Sequence, residues 1–285
     1  MPHSGKAAVL ADLRRRIAAV TVETAARADR DPGERPVLTL GDSEIAAALP
    51  GAGLARGCLH EVVVGPAGQG AALGFASLLL ARLANLEGPA APVLWCQRLD
   101  DVYERGALYG PGLAAFGLDP GQLIVARGRR DAEVLWAMEE GLRVPALAAV
   151  LGEVEALDFT PSRRLQLAAG ASGVTALVLR QDGELGSTAA ATRWRVAPLS
   201  GNATGQPIAD EVSPRSRWHL ELLRCRGGAP ADWQMEWHDE TGDFAVAAEL
   251  QQRSNRAQAL VNERAPKEAL VNERAQAAPA FAVAS

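Results

Sequence analysis

Cysteine is scarce in this chain of 285 residues: there are three, Cys58, Cys96 and Cys225. They are odd in number, widely spaced and form no C-x-x-C pair. That excludes a disulfide framework and gives no thiolate metal site. Two of them fall within apolar runs that read as core strands, so buried reduced thiols are expected, as in the cytosol. The four histidines are scattered, and no ligand cluster, metal or cofactor is expected. No apolar run approaches the ~18 residues of a membrane span. No secretory leader is expected either, because Leu13 to Ile17 is interrupted by Arg14, Arg15 and Arg16. A cytoplasmic location without membrane contact is the resulting expectation. Excess positive charge is also missing. A net charge of −5 argues against a strongly basic nucleic-acid binder while leaving a local basic face open. Nucleophile chemistry has no support: there is no G-x-S-x-G, and Ser43, Ser162 and His219 form no recognisable arrangement. Asp100-Asp101 and Glu139-Glu140 read as ordinary surface. His60 sits mid-strand and reads as a packed or hydrogen-bonded residue.

Apolar residues make up 48% of the chain, so a sizeable core can be buried in one large domain with extensions, or in two small ones. The most informative stretch is Gly65-Pro66-Ala67-Gly68-Gln69-Gly70-Ala71-Ala72. The phosphate-binding loop G-x-x-x-x-G-K-[ST] needs a strand before it, a helix after it, and Lys and Ser/Thr behind its last glycine. Cys58 to Val64 reads as a buried strand, and Ala72 to Leu83 as an apolar helix. The glycines have the right spacing, but Ala71 and Ala72 occupy the two chemical positions. In a working loop the backbone N–H groups cradle phosphate oxygens, the Lys adds a point charge and the hydroxyl ligates Mg²⁺. A charge-assisted hydrogen bond contributes about 1.5–3 kcal/mol. Losing both groups leaves a weak backbone anion site, and ATP hydrolysis is not expected. Gly65, Gly68 and Gly70 are then expected to set the fold of the turn.

Residues 7–29 read as a packing helix, and Asp31 to Pro36 as a linker. This gives an N-terminal segment 1–36, a core 37–248 and a tail 249–285. In the core, strands are expected at 58–64, 92–96, 122–126, 146–151 and 175–179. Helices run between them, one capped by Asp131 and one by Thr160 ahead of Pro161. Strands that are apolar throughout and separated by helices imply an α/β fold with a mostly parallel sheet covered on both faces. After Arg180, short segments near 192–196, 218–223, 233–237 and 244–247 read as antiparallel additions to that sheet. In the tail, Ala259-Leu260-Val261-Asn262-Glu263-Arg264-Ala265 recurs as Ala269-Leu270-Val271-Asn272-Glu273-Arg274-Ala275. The plain reading is a local duplication in a mobile tail. The sharper one is a short segment, with Leu260, Val261, Leu270 and Val271 as contacts, that turns helical on a partner.

Leu49-Pro50-Gly51-Ala52-Gly53-Leu54-Ala55-Arg56-Gly57, leading through Cys58 to Val64 into the glycine loop, resembles the core entry of RecA-type recombinases. The closer resemblance is to the ImuA family, RecA-like damage-inducible mutagenesis proteins of bacteria. It is carried by Leu108-Tyr109-Gly110-Pro111-Gly112-Leu113, continuing to Leu118, and by Ser162-Arg163-Arg164-Leu165-Gln166-Leu167-Ala168-Ala169. Ala189-Ala190-Ala191-Thr192-Arg193-Trp194-Arg195-Val196 and the stretch from Trp218 to Gly228 add to it. Together these span roughly residues 40–240. The resemblance implies a RecA-like core whose catalytic positions have been lost as a set. The family's catalytic Glu follows the second core strand, where this chain reads Cys96-Gln97-Arg98. The acidic residue closing the fourth strand would fall at Gly152, with Glu153 one place later and expected on the other side of the sheet.

The same resemblance implies a non-enzymatic adaptor of the SOS response that supports error-prone translesion synthesis. Its expected partners are an ImuB-type Y-family polymerase homologue, an error-prone DNA polymerase and RecA. A weak RecA-type ATPase and a SulA-like division inhibitor are the alternatives. Arg193, Arg195, Arg224 and Arg226, near Trp194 and Trp218, are candidates for a single-stranded DNA face. A solvated sheet face with core tryptophans competes with that reading, and any DNA contact is expected to be weak and salt-sensitive.

Overall fold

The computed structural model describes residues 36–86, 91–199, 217–238 and 243–246. The expected helix at 7–29 and the repeated tail lie outside the described residues. The core opens with two short strands, β1 (Val37–Leu38) and β2 (Leu54–Ala55), paired antiparallel around helix α1 (Ser43–Ala48). Asp42 caps α1 by accepting from the Glu44 amide at 2.7 Å, the usual Asx role at a helix start.

A nine-stranded sheet follows. Its strands are β3 (Leu59–Val64), β4 (Val93–Arg98), β5 (Leu123–Gly128), β6 (Ala149–Val154), β7 (Thr175–Gln181), β8 (Thr192–Pro198), β9 (Arg217–Cys225), β10 (Ala231–His238) and β11 (Asp243–Val246). The order across the sheet is β5-β4-β6-β7-β3-β8-β9-β10-β11. The first six run parallel. β9 is antiparallel to β8, and β10 is antiparallel to β9. The helices are α2 (Gln69–Ala84), α3 (Leu99–Arg105), α4 (Gly110–Ala115), α5 (Asp131–Leu142) and α6 (Phe159–Ser172).

β3 and β6 are buried at every position, which explains their mostly apolar character, since both faces are covered; the polar exceptions His60, Glu61 and Glu153 are each hydrogen-bonded. α2 covers one face. It is apolar nearly all round, as a helix must be when it lies between layers, and Phe75 meets Trp194 of β8 with ring centroids 5.8 Å apart. α5 and α6 cover the other, where Val134, Met138, Leu165 and Ala169 pack on Leu59, Cys96, Val150 and Val178. On β3, Leu59 and Glu61 therefore face α6, while His60 and Val62 face α2.

Three expectations need correcting. β8 is parallel to β3, not antiparallel. The chain leaving β7 crosses over β3 before re-entering the sheet, so it returns to the end at which β3 begins. Arg130, not Asp131, occupies the N-cap of α5. Asp131 lies in the first turn, where its carboxylate accepts from the amides of Glu155 and Ala156 and pairs with Arg98 at 3.5 Å. Asp158, not Thr160, caps α6, so Pro161 sits deeper than N1.

Candidate functional site

The glycine loop lies at the carboxyl end of β3 and leads straight into α2. The Gly65 amide donates to the Val196 carbonyl at 2.8 Å, and the Gly68 amide donates to the Gly65 carbonyl at 2.8 Å. These bonds stitch the loop to β8 and close it on itself. A Cβ on Gly65 would come within 2.9 Å of the Val196 carbonyl oxygen. One on Gly68 would come within 2.5 Å of that same oxygen and 2.8 Å of the Gly65 oxygen. Backbone lies too close at both sites for any side chain. Gly70 differs: nothing lies within 4 Å of its added Cβ. Two of the three glycines are fixed by the fold, and the third is not. Ala71 and Ala72, in the Lys and Ser/Thr positions, are buried.

Next to the loop is a cavity of about 270 Å³. Its walls come from Gly70, Leu73, Gly74 and Ser77 of α2, from Leu108, Tyr109, Leu113 and Phe116, and from Gln97 and Glu153 at the ends of β4 and β6. The chain leaves β4 toward the sheet edge at β5 and leaves β6 the other way toward β7. The cavity thus sits outside the carboxyl ends of two strands at a topological switch point, where open α/β sheets bind ligands. Among the described residues its lining contains no lysine, arginine or histidine, and one carboxylate, Glu153. The chain has two lysines in all, Lys6 and Lys267, and both lie outside the described residues.

Strand alternation reverses the expected placing of the acidic positions. Trp95 and Gln97 on β4, with Glu153 on β6, point to the α2 side. Glu153 Oε1 accepts from Trp95 Nε1 at 2.6 Å and from Gln97 Nε2 at 2.8 Å. Gly152 faces α5 instead, where a Cβ would lie 2.1 Å from the sulfur of Met138. Glu153, not Gly152, is therefore the residue on the loop's side of the sheet. Arg98 likewise points away from the cavity, to Glu155 at 2.7 Å and Asp131. Gln97 is the residue at the end of β4 that lines the cavity. Sequence reasoning missed Ser77, Leu113 and Phe116 as cavity residues. The small residues Gly70, Gly74 and Ser77, at i, i+4 and i+7 along α2, were the available signal.

The four arginines considered for DNA all contact protein groups. Arg193 is buried and donates from Nε to Glu61 Oε2 at 2.7 Å and from Nη2 to the Gly186 carbonyl at 3.0 Å. Thr188 donates its hydroxyl to the same Glu61 carboxylate. Arg224 donates to the Thr188 carbonyl, and Arg226 to that of Ala189 at 2.8 Å. Arg195 bridges Asp182 and Glu221, each at 3.1 Å. Residues 182–191 cross between β7 and β8 without a helix, so Arg193, Arg224 and Arg226 satisfy carbonyls that a helix would have satisfied internally. Trp194 and Trp218 are core residues, each buried.

His60 is buried completely. Its Nε2 contacts the Ala55 carbonyl at 2.8 Å and its Nδ1 the Thr192 hydroxyl at 2.8 Å, while Trp194 Nε1 donates to that hydroxyl oxygen at 2.7 Å. A carbonyl can only accept, so Nε2 carries the proton and Nδ1 accepts from Thr192. Burial depresses the imidazole pKa to about 4, partly opposed by the Ala55 carbonyl. Burial also pushes the Cys96 thiol up to about 12 and raises that of Cys225. Neither favours the reactive thiolate. Among the described residues no group of histidines, cysteines and carboxylates could hold a metal ion, and no helix is long and apolar enough to cross a membrane.

No protein-family model matches the chain. It is 35% identical over 218 residues to Protein ImuA of Caulobacter vibrioides, in strain NA1000 / CB15N and in strain ATCC 19089 / CIP 103742 / CB 15 alike. The matched region covers 70% of this chain and 83% of each relative.

Proposed function

The chain belongs to the ImuA family, and from that premise we propose that it is a non-catalytic, RecA-like adaptor in damage-induced, error-prone DNA synthesis. The observation that carries this reading is the cavity beside the glycine loop. A phosphate cradle needs donors and cations, whereas this one, among the described residues, offers the Glu153 carboxylate and no basic side chain in its lining. The two loop positions that would supply charge and a metal ligand are alanine methyls packed in the core. Hydrolysis through a displaced Lys or Arg would need such a group in the cavity wall.

A RecA-type core is supported by the loop after a central strand, the helix behind it, six parallel strands and antiparallel strands added beyond β8. In this reading the sheet is a rigid frame that presents surfaces to an ImuB-type polymerase homologue, an error-prone DNA polymerase and RecA. Leu260, Val261, Leu270 and Val271, with the 7–29 segment, are the proposed contacts for the polymerase homologue. Direct DNA contact through Arg193, Arg195, Arg224 and Arg226 is a lesser part of the proposal, since it would compete with their bonds to residues 182–191, Glu61 and Glu221.

Calorimetry of the full chain with Mg-ATP tests the catalytic side, together with an ATPase assay on the wild type and on Ala71→Lys/Ala72→Thr. No heat of binding and no turnover are expected in the wild type. Turnover at ordinary ATPase rates would end the adaptor reading. Pull-down of the polymerase homologue by chains lacking 1–36 and 249–285 tests the docking side. Undiminished capture would remove the terminal segments from the proposal.

A further inference from the structure

The helices α5 and α6 cover one face of the sheet side by side, and their charges are segregated. α5 carries Asp131, Glu133, Glu139 and Glu140 and no basic residue, whereas α6 carries Arg163 and Arg164 and no acidic one. The two helices run parallel, because each leaves one parallel strand and enters the next. Arg164 pairs with Glu139, which sets residue 139 of α5 level with residue 164 of α6.

Their outward faces expose large apolar side chains: Trp136 is 62% exposed and Leu167 61%. Trp136, Glu140 and Arg143 fall at i, i+4 and i+7, so they share one stripe of α5 and its cap. Arg163 and Leu167, at i and i+4, share one stripe of α6. Between the helices lies an open groove of about 490 Å³, lined by Pro145, Leu167, Ala168 and Ala171 together with the Glu139, Arg143 and Arg164 cluster. Glu139 holds both Arg143, at 2.7 Å, and Arg164. Glu140 holds Arg143 through one oxygen, and its side chain is 47% exposed. Arg163 is exposed and forms no ion pair among the described residues.

The face therefore offers a half-open carboxylate and an exposed indole on α5, and an unpaired guanidinium and an exposed leucine on α6. Such a surface complements itself. A two-fold axis in the contact plane and along the helices lays α5 of one copy on α6 of the other, with heights along the helices unchanged. Residue 140 then stands level with 165, two residues or about 3 Å along the axis from Arg163 of the other copy. Trp136 stands level with 161, about 4.5 Å along the axis from Arg164 of the other copy, which suits a guanidinium over an indole. Leu167 stands level with 142, beside the Arg143 and Pro145 end of the other copy's groove. A partner of a single charge sign would instead meet like charge on one of the two helices.

We infer that the α5–α6 face docks a second copy of this chain as an isologous pair, in which Glu140 meets Arg163 of the other copy and Leu167 enters the other copy's groove. The inference goes beyond the adaptor reading and does not rest on it.

Sedimentation velocity of the full chain between about 1 and 100 µM tests it. The wild type is expected to pass from monomer to dimer within that range. Leu167→Glu puts a charge into the apolar groove and should weaken association at least about tenfold. Arg163→Glu and Glu140→Arg each set like charges against one another twice across the axis, and each should weaken it by about as much. Mixed in equal amounts, these two variants present opposite charges at both contacts, and association should return to within about threefold of wild type. Circular dichroism confirms that each variant is folded. A wild type still monomeric at about 100 µM, which would give the face to a different protein or to none, would overturn the inference. So would a dimer indifferent to Leu167→Glu, or a mixture that associates no better than its components. Should Leu167→Glu fail to fold, the wild type and the mixture decide alone.

Discussion

Replacing Gly68 and Gly70 by alanine, one at a time, separates a loop kept for its fold from a loop kept for phosphate. The residues lie two apart in the same motif, and the structure assigns them opposite signs. A Cβ added at Gly68 would sit 2.5 Å from the Val196 oxygen, 2.8 Å from the Gly65 oxygen and 3.1 Å from the Gly65 nitrogen. All three are backbone atoms, so the clash cannot be relieved by turning a side chain. Overpacking of this kind costs about 1–3 kcal/mol. Separating Gly65 from Val196 also weakens the 2.8 Å bond between them, a further ~0.5–1.5 kcal/mol. The expected total is about 2–4 kcal/mol. Gly70 lies in the first turn of α2 with open space around it and no positive φ. Alanine there restricts the unfolded chain and favours the helix, a gain of about 0.5–1 kcal/mol. Urea unfolding followed by circular dichroism reads both values, and an unchanged slope confirms that stability alone has moved. A gap of about 3–5 kcal/mol between the two variants is expected. Gly68→Ala within ~0.5 kcal/mol of wild type, or Gly70→Ala costing more than ~1 kcal/mol, would refute the steric assignment of the loop.

Three further outcomes follow from the buried polar groups. The folded pKa of His60, about 4, is below the value of 6.5 for a free imidazole, so the unfolded chain binds the extra proton. Its contribution is complete above pH 6.5 and is lost as pH falls toward 4, by about 3 kcal/mol at ~1.4 kcal/mol per pH unit; His60→Gln should flatten that part of the pH–stability curve. Arg193→Met leaves the Glu61 carboxylate, 0% exposed, with the Thr188 hydroxyl but without the guanidinium that pairs with it, and should cost about 3–5 kcal/mol. The double variant Glu61→Leu/Arg193→Met should recover much of that loss, and a double variant no better than the single would show that the pair is not the unit. Gly152→Asp, which restores an acid at the position the sequence suggested, should destabilise by about 1–3 kcal/mol because Met138 occupies the space, with burial of the carboxylate adding to that cost. Thermal melts of Gly152→Asp with and without Met138→Ala check this, with partial rescue expected.

Much of the architecture was readable because local physics decides it. Buried parallel strands are mostly apolar, and the runs at β3, β4, β6 and β7 are, with buried polar exceptions such as His60 and Glu61. A helix covered on several sides must be apolar all round, and α2 is. The glycine loop and its two alanines are equally visible, since strand, turn and helix follow one another in the chain. Residues at sheet ends were harder. Whether Gly152 or Glu153 faces the loop depends on the phase of β6 against α5, which a run of uniformly apolar residues does not reveal.

Pairing across long separations was invisible as well. Arg193 finds Glu61 132 residues away, and Arg226 finds Ala189 37 residues away. A row of arginines near tryptophans therefore reads as a nucleic-acid face until the crossover at 182–191 is seen beneath it. The layers, the strand-loop-helix entry and the loss of the loop's charge are legible from the order of residues alone, because each depends on neighbours in the chain. Tertiary structure decided that β8 runs parallel, that the arginines fasten a crossover and that a carboxylate-bearing cavity stands beside the loop. Each of these depends on which distant strands lie side by side, and side-chain alternation alone does not encode that.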